Sequence, residues 1–370
     1  RDLVRSRGLG DVYKRQVDGY LYGRVGEDHF VVIADEDTFN EEYLYECRET
    51  LQNVLSDSVY NVRVCFGIYR TDNMNESLSF MCDKASFAVA SIKDDTHSFI
   101  AYYDDTMLEA AIKYKTIVDE FDDAIKAGEF KMYLQPQISA KTRRLTGAEA
   151  LVRRIKPDGT IISPIDFIPV YEKSGLISRL DRYIWEQAAA KLGEWKKAGI
   201  NMSISVNISP KDFYYIDIFN TFAGLIKKYD IEPSNLKIEI TETTIMSDVP
   251  NLMGELEELR KAGFTLEMDD FGSGYSSLNT LKDINVDVLK VDMGFIKETK
   301  NVKKSRIILA SVIKMAKELN LLIITEGVET EEQVDNLTKL GCDVFQGYYF
   351  SKAIDVNEFE KRYLYRKKAG

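Results

Sequence analysis

Histidine is the scarcest informative residue in this 370-residue chain: His29 and His97 are the two present, and none follows residue 97. Beyond that point the sequence excludes a Ser-His-Asp triad, a His-rich zinc site and any His-based acid–base pair. Hydrolytic chemistry there must run on carboxylates, lysine and hard metal ions. Cysteine is sparse too. Cys47, Cys65, Cys82 and Cys342 lack metal-ligand spacing, which fits a reducing cytosol, and so a cytoplasmic chain, better than a disulfide framework. Long apolar runs are missing: Leu321-Leu322-Ile323-Ile324 is far too short to span a bilayer, and no charged-then-apolar signal opens the chain. A net charge of −11 argues against a nucleic-acid polymer as partner. With 45% hydrophobic residues there is ample material for a core, and the length suits two domains or a barrel with a smaller companion.

Along the chain, residues 1–16 are basic and aperiodic and read as a leader of doubtful origin, outside the fold. Residues 17–104 predict an α/β module: a hairpin from Tyr20-Leu21-Tyr22 and Phe30-Val31-Val32-Ile33 around Gly26-Glu27-Asp28, a helix near 40–55, a strand from Val62 to Tyr69, a helix over 76–93 and a strand from Ser98 to Tyr103. Such a module, begun at a hairpin, reads as the back half of a domain. Residues 105–129 carry helical spacing (Met107, Leu108, Ala111, Ile112, Ile117, Phe121) and predict a connector. From 130 to 370, strands near 130–139, 145–153, 201–209, 235–243, 264–270, 286–292, 320–326 and 344–350 alternate with helices. Eight strands with helical crossovers over this length predict a (β/α)₈ TIM-like barrel.

Strands buried on both faces normally read as continuous apolar runs. Two here do not. Met202 to Ser209 and Leu236 to Thr241 have one apolar parity and one polar parity, and Thr265, Glu267 and Asp269 share the polar face of the next strand. Successive side chains alternate faces, so Asn207, Glu239 and Asp269 should point into the barrel. A half-exposed antiparallel sheet would read the same way, but the helical crossovers weigh against it. Charged or amide groups recur at nearly every strand end: Glu149, Asn207, Glu239, Asp269 with Asp270, Lys290, Glu326 and Gln346. In a barrel these ends meet at one mouth. The glycines of Asp270-Phe271-Gly272-Ser273-Gly274 end the strand in a turn that lets Asp269 and Asp270 reach one place.

Five carboxylates (Glu149, Glu239, Asp269, Asp270, Glu326) against Lys290 leave a local charge of −4, which two divalent cations balance. Oxygen ligands with an amide suit Mg²⁺ or Mn²⁺, not zinc or copper. Two such ions side by side are the usual engine of phosphodiester hydrolysis.

The same residues resemble a known family. Glu149-Ala150-Leu151 is similar to the signature of the EAL-domain cyclic-di-GMP phosphodiesterases. In order it is joined by Tyr133-Leu134-Gln135-Pro136, Ser205-Val206-Asn207-Ile208-Ser209, Glu239-Ile240-Thr241-Glu242, Asp269-Asp270-Phe271-Gly272-Ser273-Gly274-Tyr275, Leu289-Lys290-Val291-Asp292, Glu326-Gly327-Val328-Glu329-Thr330 and Gln346-Gly347-Tyr348-Tyr349-Phe350. The resemblance covers roughly residues 112–365. It implies Glu149, Asn207, Glu239, Asp269, Asp270 and Glu326 as ligands or close neighbours of two Mg²⁺ or Mn²⁺ ions, with Glu149, Asp270, Lys290 and Glu326 at the chemistry. Lys290 would orient the attacking water. Gln346 would hold the polar network, and Gln135, the Leu151 backbone and Arg153 would meet the substrate. Glu242 and Glu329 would position the loop after Asp270, which the family links to dimerisation. The implied reaction is hydrolysis of cyclic di-GMP to linear 5′-pGpG; the other classes to weigh are a silent cyclic-di-GMP receptor and a dimerisation module. Arg154 stands where many members have Trp, and Ala353 where Pro is common.

Residues 17–104 resemble the second half of a GGDEF (diguanylate cyclase) domain. The signature hairpin reads Gly26-Glu27-Asp28-His29-Phe30, with a side chain where the family has its second glycine and His29 at the acidic position. That implies a degenerate, truncated module without cyclase activity.

Overall fold

The computed structural model describes residues 20–365, except 27–28, 56–62, 72, 74, 94, 96, 247–248, 250, 273–280, 283 and 293–301. The leader, the centre of the Gly26–His29 turn and most of the loop after Gly272 therefore lie outside the described residues. The chain divides into two compact units, Arg1–Thr116 and Ile117–Gly370.

In the first unit β1 (Leu21–Arg24) pairs antiparallel with β2 (Phe30–Ile33), followed by a helix over Glu42–Leu55. β3 (Phe66–Ile68) pairs parallel with β4 (Ile100–Tyr102), with a helix over Leu78–Ser91 between them in sequence. The expected order of elements is found, with shorter strands. A Cβ on Gly67 would fall 2.0 Å from the Ala85 carbonyl oxygen, so only glycine lets β3 seat this helix. The core is thin: Ala88, Ile92 and Ala101 form the buried cluster among the described residues. Beside it Lys84 is buried, held by the Tyr69 hydroxyl at 2.7 Å and the Glu76 carboxylate at 3.2 Å.

The second unit is a closed barrel. Its staves are β5 (Phe130–Ser139), β6 (Leu145–Ile155), β8 (Ile204–Ile208), β9 (Leu236–Thr241), β10 (Leu266–Asp269), β11 (Val288–Asp292), β12 (Leu322–Glu326) and β13 (Val344–Phe345). They pair in the ring β5-β6-β8-β9-β10-β11-β12-β13-β5; β7 (Ile161–Ile162) and β14 (Ile354–Asp355) extend β6 and β5. One stave departs from the regular (β/α)₈ pattern: β5 runs antiparallel to both β6 and β13. The reason is visible in the chain. Residues 140–144 give no room for a crossover helix, so β5 and β6 form a hairpin, closed by the Ser139 N–H to the Arg144 carbonyl at 2.9 Å. From β6 to β13 all staves run parallel.

Outward-facing Ile204, Val206, Ile208, Leu236, Ile238, Ile240, Leu266 and Met268 join the surrounding helices in one large core. The helix over Ile177–Lys197 contributes Trp185 and Trp195 to it.

Arg154 lies on the opposite parity of β6 from Glu149 and Arg153, and so faces away from the barrel interior. It is 2% exposed and ion-paired to Glu120 at 2.7 Å and Glu129 at 2.9 Å. Its departure from the family's Trp is thus satisfied locally. Removing one partner of such a cluster leaves half-buried carboxylates uncompensated. Arg154→Ala should lower stability by about 3 kcal/mol in urea denaturation; an unchanged midpoint would show that the cluster contributes nothing.

Candidate functional site

The polar parity of the strands brings the predicted residues together at the carboxyl ends of the staves. Lys290, centrally placed on β11, has no exposed surface. Its Nζ lies 2.7 Å from Glu326, 3.1 Å from Glu239, 3.2 Å from Asp269 and 3.6 Å from Glu149. The partners come from four staves: β10 and β12 flank β11, while β9 and β6 bring Glu239 and Glu149 to Lys290 through the barrel interior.

An amide belt fixes one side of this ring. The Gln346 side-chain N–H donates to Glu149 and, at 3.4 Å, to Gln135. Gln137 donates to the Gln346 side-chain oxygen at 3.2 Å. The Asn207 amide reaches Glu149 at 3.3 Å, while Trp185 pins the Asn207 carbonyl at 2.9 Å. Gln346 is held at this depth by Gly347: a Cβ there would fall 2.2 Å from the Val328 carbonyl oxygen, so the chains after β12 and β13 can meet only at a glycine. This contact explains why β13 stops at Phe345, well short of the expected 350.

Asp269 ends β10, and Asp270 turns left-handed at φ 56° with its N–H on the Asp269 carboxylate at 2.9 Å. The predicted turn is present, but it leaves Asp270 exposed at the rim while Asp269 joins Lys290. Leu151 and Arg153 share the Glu149 parity of β6; the Arg153 guanidinium lies over the Tyr133 ring and donates to the Val152 carbonyl at 2.8 Å. Glu242 is buried directly after β9, and Glu329 is exposed two residues beyond Gly327. The loop they were expected to position lies mostly outside the described residues.

Charge crowding shows in the protonation of the ring. Burial pushes the Glu239 carboxyl well above the usual range; Lys290 opposes this, and Glu149, Glu267 and Asp269 add to it. Burial likewise pushes Glu326 up to about 8, with Lys290 opposing and Asp269 and Glu149 reinforcing. Burial and then Asp269 raise Asp270. Burial alone would lower the Lys290 ammonium, yet Glu149, Glu239, Glu326 and Asp269 together hold it well above the ordinary lysine value. One cation is too few for the carboxylates around it. Glu239 Oε1 and Glu326 Oε1 are buried with Lys290 Nζ as their one close cation, and Glu239 Oε2 is buried without a donor. Hard cations fit these buried, under-compensated oxygens in donor type and in charge. Among the described residues no three acidic, His or Cys side chains already converge on a single ion position, because Lys290 Nζ stands at their centre.

Two functional features escaped the sequence reading. Gln137 shares the parity of Gln135 on β5, and that signal was available. The other is a carboxyl pair, Asp181 on the Ile177–Lys197 helix and Asp212, whose carboxylate accepts the Ser209 N–H at 2.7 Å just past the end of β8. No strand pattern marks it. Burial raises both carboxyls; Asp212 and Glu172 raise Asp181 further, whereas the Ser209 N–H on the Asp212 carboxylate restrains its rise. Two neighbouring buried carboxyls raised together favour one proton shared by the pair.

A carboxyl raised on folding stabilises fully below its unfolded value near 4, and that contribution is lost as pH climbs through the folded value. Asp181→Asn keeps a donor toward Asp212 without titrating. Thermal melts should show the variant more stable than the parent at pH 8, with the advantage shrinking toward pH 4.5; a pH-independent difference would dismiss the shared proton.

Residues 118–353 match the family model described as "EAL domain". Among curated proteins, the signaling protein YkoW of Bacillus subtilis (strain 168) is 31% identical over 350 residues, covering 93% of this chain and 44% of its own length. The probable cyclic di-GMP phosphodiesterase PdeG of Escherichia coli (strain K12) is 36% identical, covering 66% of this chain and 48% of its own. The chain spans about half the length of the curated relatives it matches. A solved structure of PaMucR phosphodiesterase in complex with c-di-GMP superimposes with TM-score 0.62 at 32% identity, over 66% of this chain and 99% of that one. No helix among the described residues is long and apolar enough to cross a membrane. Barrel, motif order and family model agree: the chain belongs to the EAL domain family.

Proposed function

We propose that the barrel hydrolyses cyclic di-GMP to linear 5′-pGpG with the help of two Mg²⁺ or Mn²⁺ ions. The observation that carries this is the under-compensated ring: four carboxylates share the single Lys290 ammonium, and the second Glu239 oxygen is buried without a donor. Glu149, Asn207, Glu239, Asp269, Asp270 and Glu326 would hold the ions. When bound, divalent cations supply Lewis acidity toward a phosphate oxygen and toward water.

The chain's own residues supply the rest. The carboxylates around Lys290 favour its ammonium form, and as a hydrogen-bond donor it orients the attacking water by its oxygen. Water oxygen adds to phosphorus, the bridging ribose 3′-oxygen leaves with a proton, and the ring opens to a 5′-phosphate. Arg153, on the Glu149 face of β6, has the planar fork that suits a phosphate. The Leu151 backbone and Gln135 would meet the substrate beside it, with Gln346 holding Glu149 in place.

Residues 17–104 of the amino-terminal unit fit a degenerate GGDEF-like module. The match to MucR of Pseudomonas aeruginosa, named a bifunctional diguanylate cyclase/cyclic di-GMP phosphodiesterase, spans 90% of this chain and supports that reading. The altered Gly26-Glu27-Asp28-His29-Phe30 hairpin argues against cyclase activity. A homodimer through the barrel, with Glu242 and Glu329 placing the loop after Asp270, completes the proposal.

The test is chromatography of cyclic di-GMP incubated with the protein and Mg²⁺. Linear pGpG should form. Glu149→Ala and Lys290→Ala should each lower kcat by at least about 100-fold while circular dichroism stays native. Binding of cyclic di-GMP without pGpG would identify a receptor instead, and near-normal turnover in Glu149→Ala would overturn the ligand assignment.

A further inference from the structure

Below the ring of carboxylates the barrel interior is closed by two unlike halves. On the side of Glu326 and Gln346 the floor is apolar, made by Val288, Ile324 and Val344. On the side of Glu239 it is charged. Lys237 Nζ lies 2.9 Å from Glu267 Oε1, and Glu267 has no exposed surface. The second Glu267 oxygen is buried, with the Glu239 carboxyl as its neighbour. Glu267 is the register partner of Glu239 on the adjacent parallel strand, and Lys237 precedes Glu239 by one inward position on β9.

A buried ion pair is a poor way to fill a barrel, since desolvation offsets most of its Coulombic gain. The apolar half shows that this interior accepts a hydrophobic floor. The pair is also lopsided: the carboxylate is sealed beside Glu239, while the Lys237 side chain keeps 17% of its surface exposed. The mouth therefore feels two opposing charges from beneath, at unequal depth. We propose that Lys237 and Glu267 are positioning residues that set the divalent-cation affinity of Glu239, Glu267 strengthening it and Lys237 moderating it. This rests on the two-cation reading of the mouth and adds to it a control that lies outside the ligand set.

Isothermal titration calorimetry of the intact chain with Mn²⁺, without substrate, tests it. Glu267→Gln leaves the Lys237 charge unopposed and should raise the Mn²⁺ Kd by on the order of tenfold. Lys237→Met should lower it, and the double variant should return to within about twofold of the parent. A loosened fold cannot tighten binding, so opposite signs separate electrostatic control from structural damage. If Lys237→Met does not fold, weakening by Glu267→Gln with recovery in the double variant supports the proposal by itself. Parent-like affinity in Glu267→Gln, or weakening of equal size in every folded variant, overturns it. Absence of saturable Mn²⁺ binding by the parent chain overturns the two-cation reading and this inference with it.

Discussion

Everything at the carboxyl end of the barrel depends on Lys290. An ammonium with no access to water is costly unless charge compensates it, and a cluster of buried carboxylates is costly for the same reason. Placed together they make each other tolerable, and the surplus of negative charge remains. Burial first, and then that surplus, raise the Glu239 and Glu326 carboxyls above the ordinary range. The site is therefore not a balanced structural salt bridge, since the carboxylates outnumber their cation.

Holding the surplus in place takes rigid surroundings. Glu149 is gripped from two sides, by Gln346 and by Asn207, and both amides are themselves tied down, through Gln137 and through the Trp185 contact to the Asn207 carbonyl. The antiparallel first stave matters here. Its hairpin with β6 sets Gln135 in register with Glu149 and brings Gln137 alongside, so two members of the amide belt come from the one strand that runs the other way.

Much of this was legible because barrel strands are normally apolar on both faces. Any strand with one polar parity announces that its interior face is reserved, and Asn207, Glu239 and Asp269 were readable from that alone. The existence and order of the staves followed from the same periodicity. What was less legible has physical reasons. Strand ends are set by tertiary contacts, as where Gly347 meets Val328 and stops β13. Asp270 shares a motif with Asp269, yet its left-handed turn carries it to the rim. The Asp181–Asp212 pair joins a helix to a short segment after β8, and no one-dimensional pattern records such a meeting. The antiparallel β5 was readable in principle, since residues 140–144 leave no space for a helix between strands.

Several departures from local rules meet at the mouth of the barrel. Asp270 takes a backbone conformation unfavourable to a residue with a side chain, Gly347 sits in a gap closed to anything larger, and the carboxylates outnumber their cation. Elsewhere the same barrel settles its conflicts: Arg154 has two carboxylates to meet it on the outer face, and the apolar parities pack without interruption into the helices. A sequence consistent almost everywhere concentrates its inconsistencies where something other than stability is selected. The large core carries the fold, and that frees the mouth to hold charge it cannot neutralise by itself. Filling the interior with further lysines would relieve the repulsion. It would also remove the property that sets this end of the barrel apart, a rigid excess of negative charge open to solvent on one side.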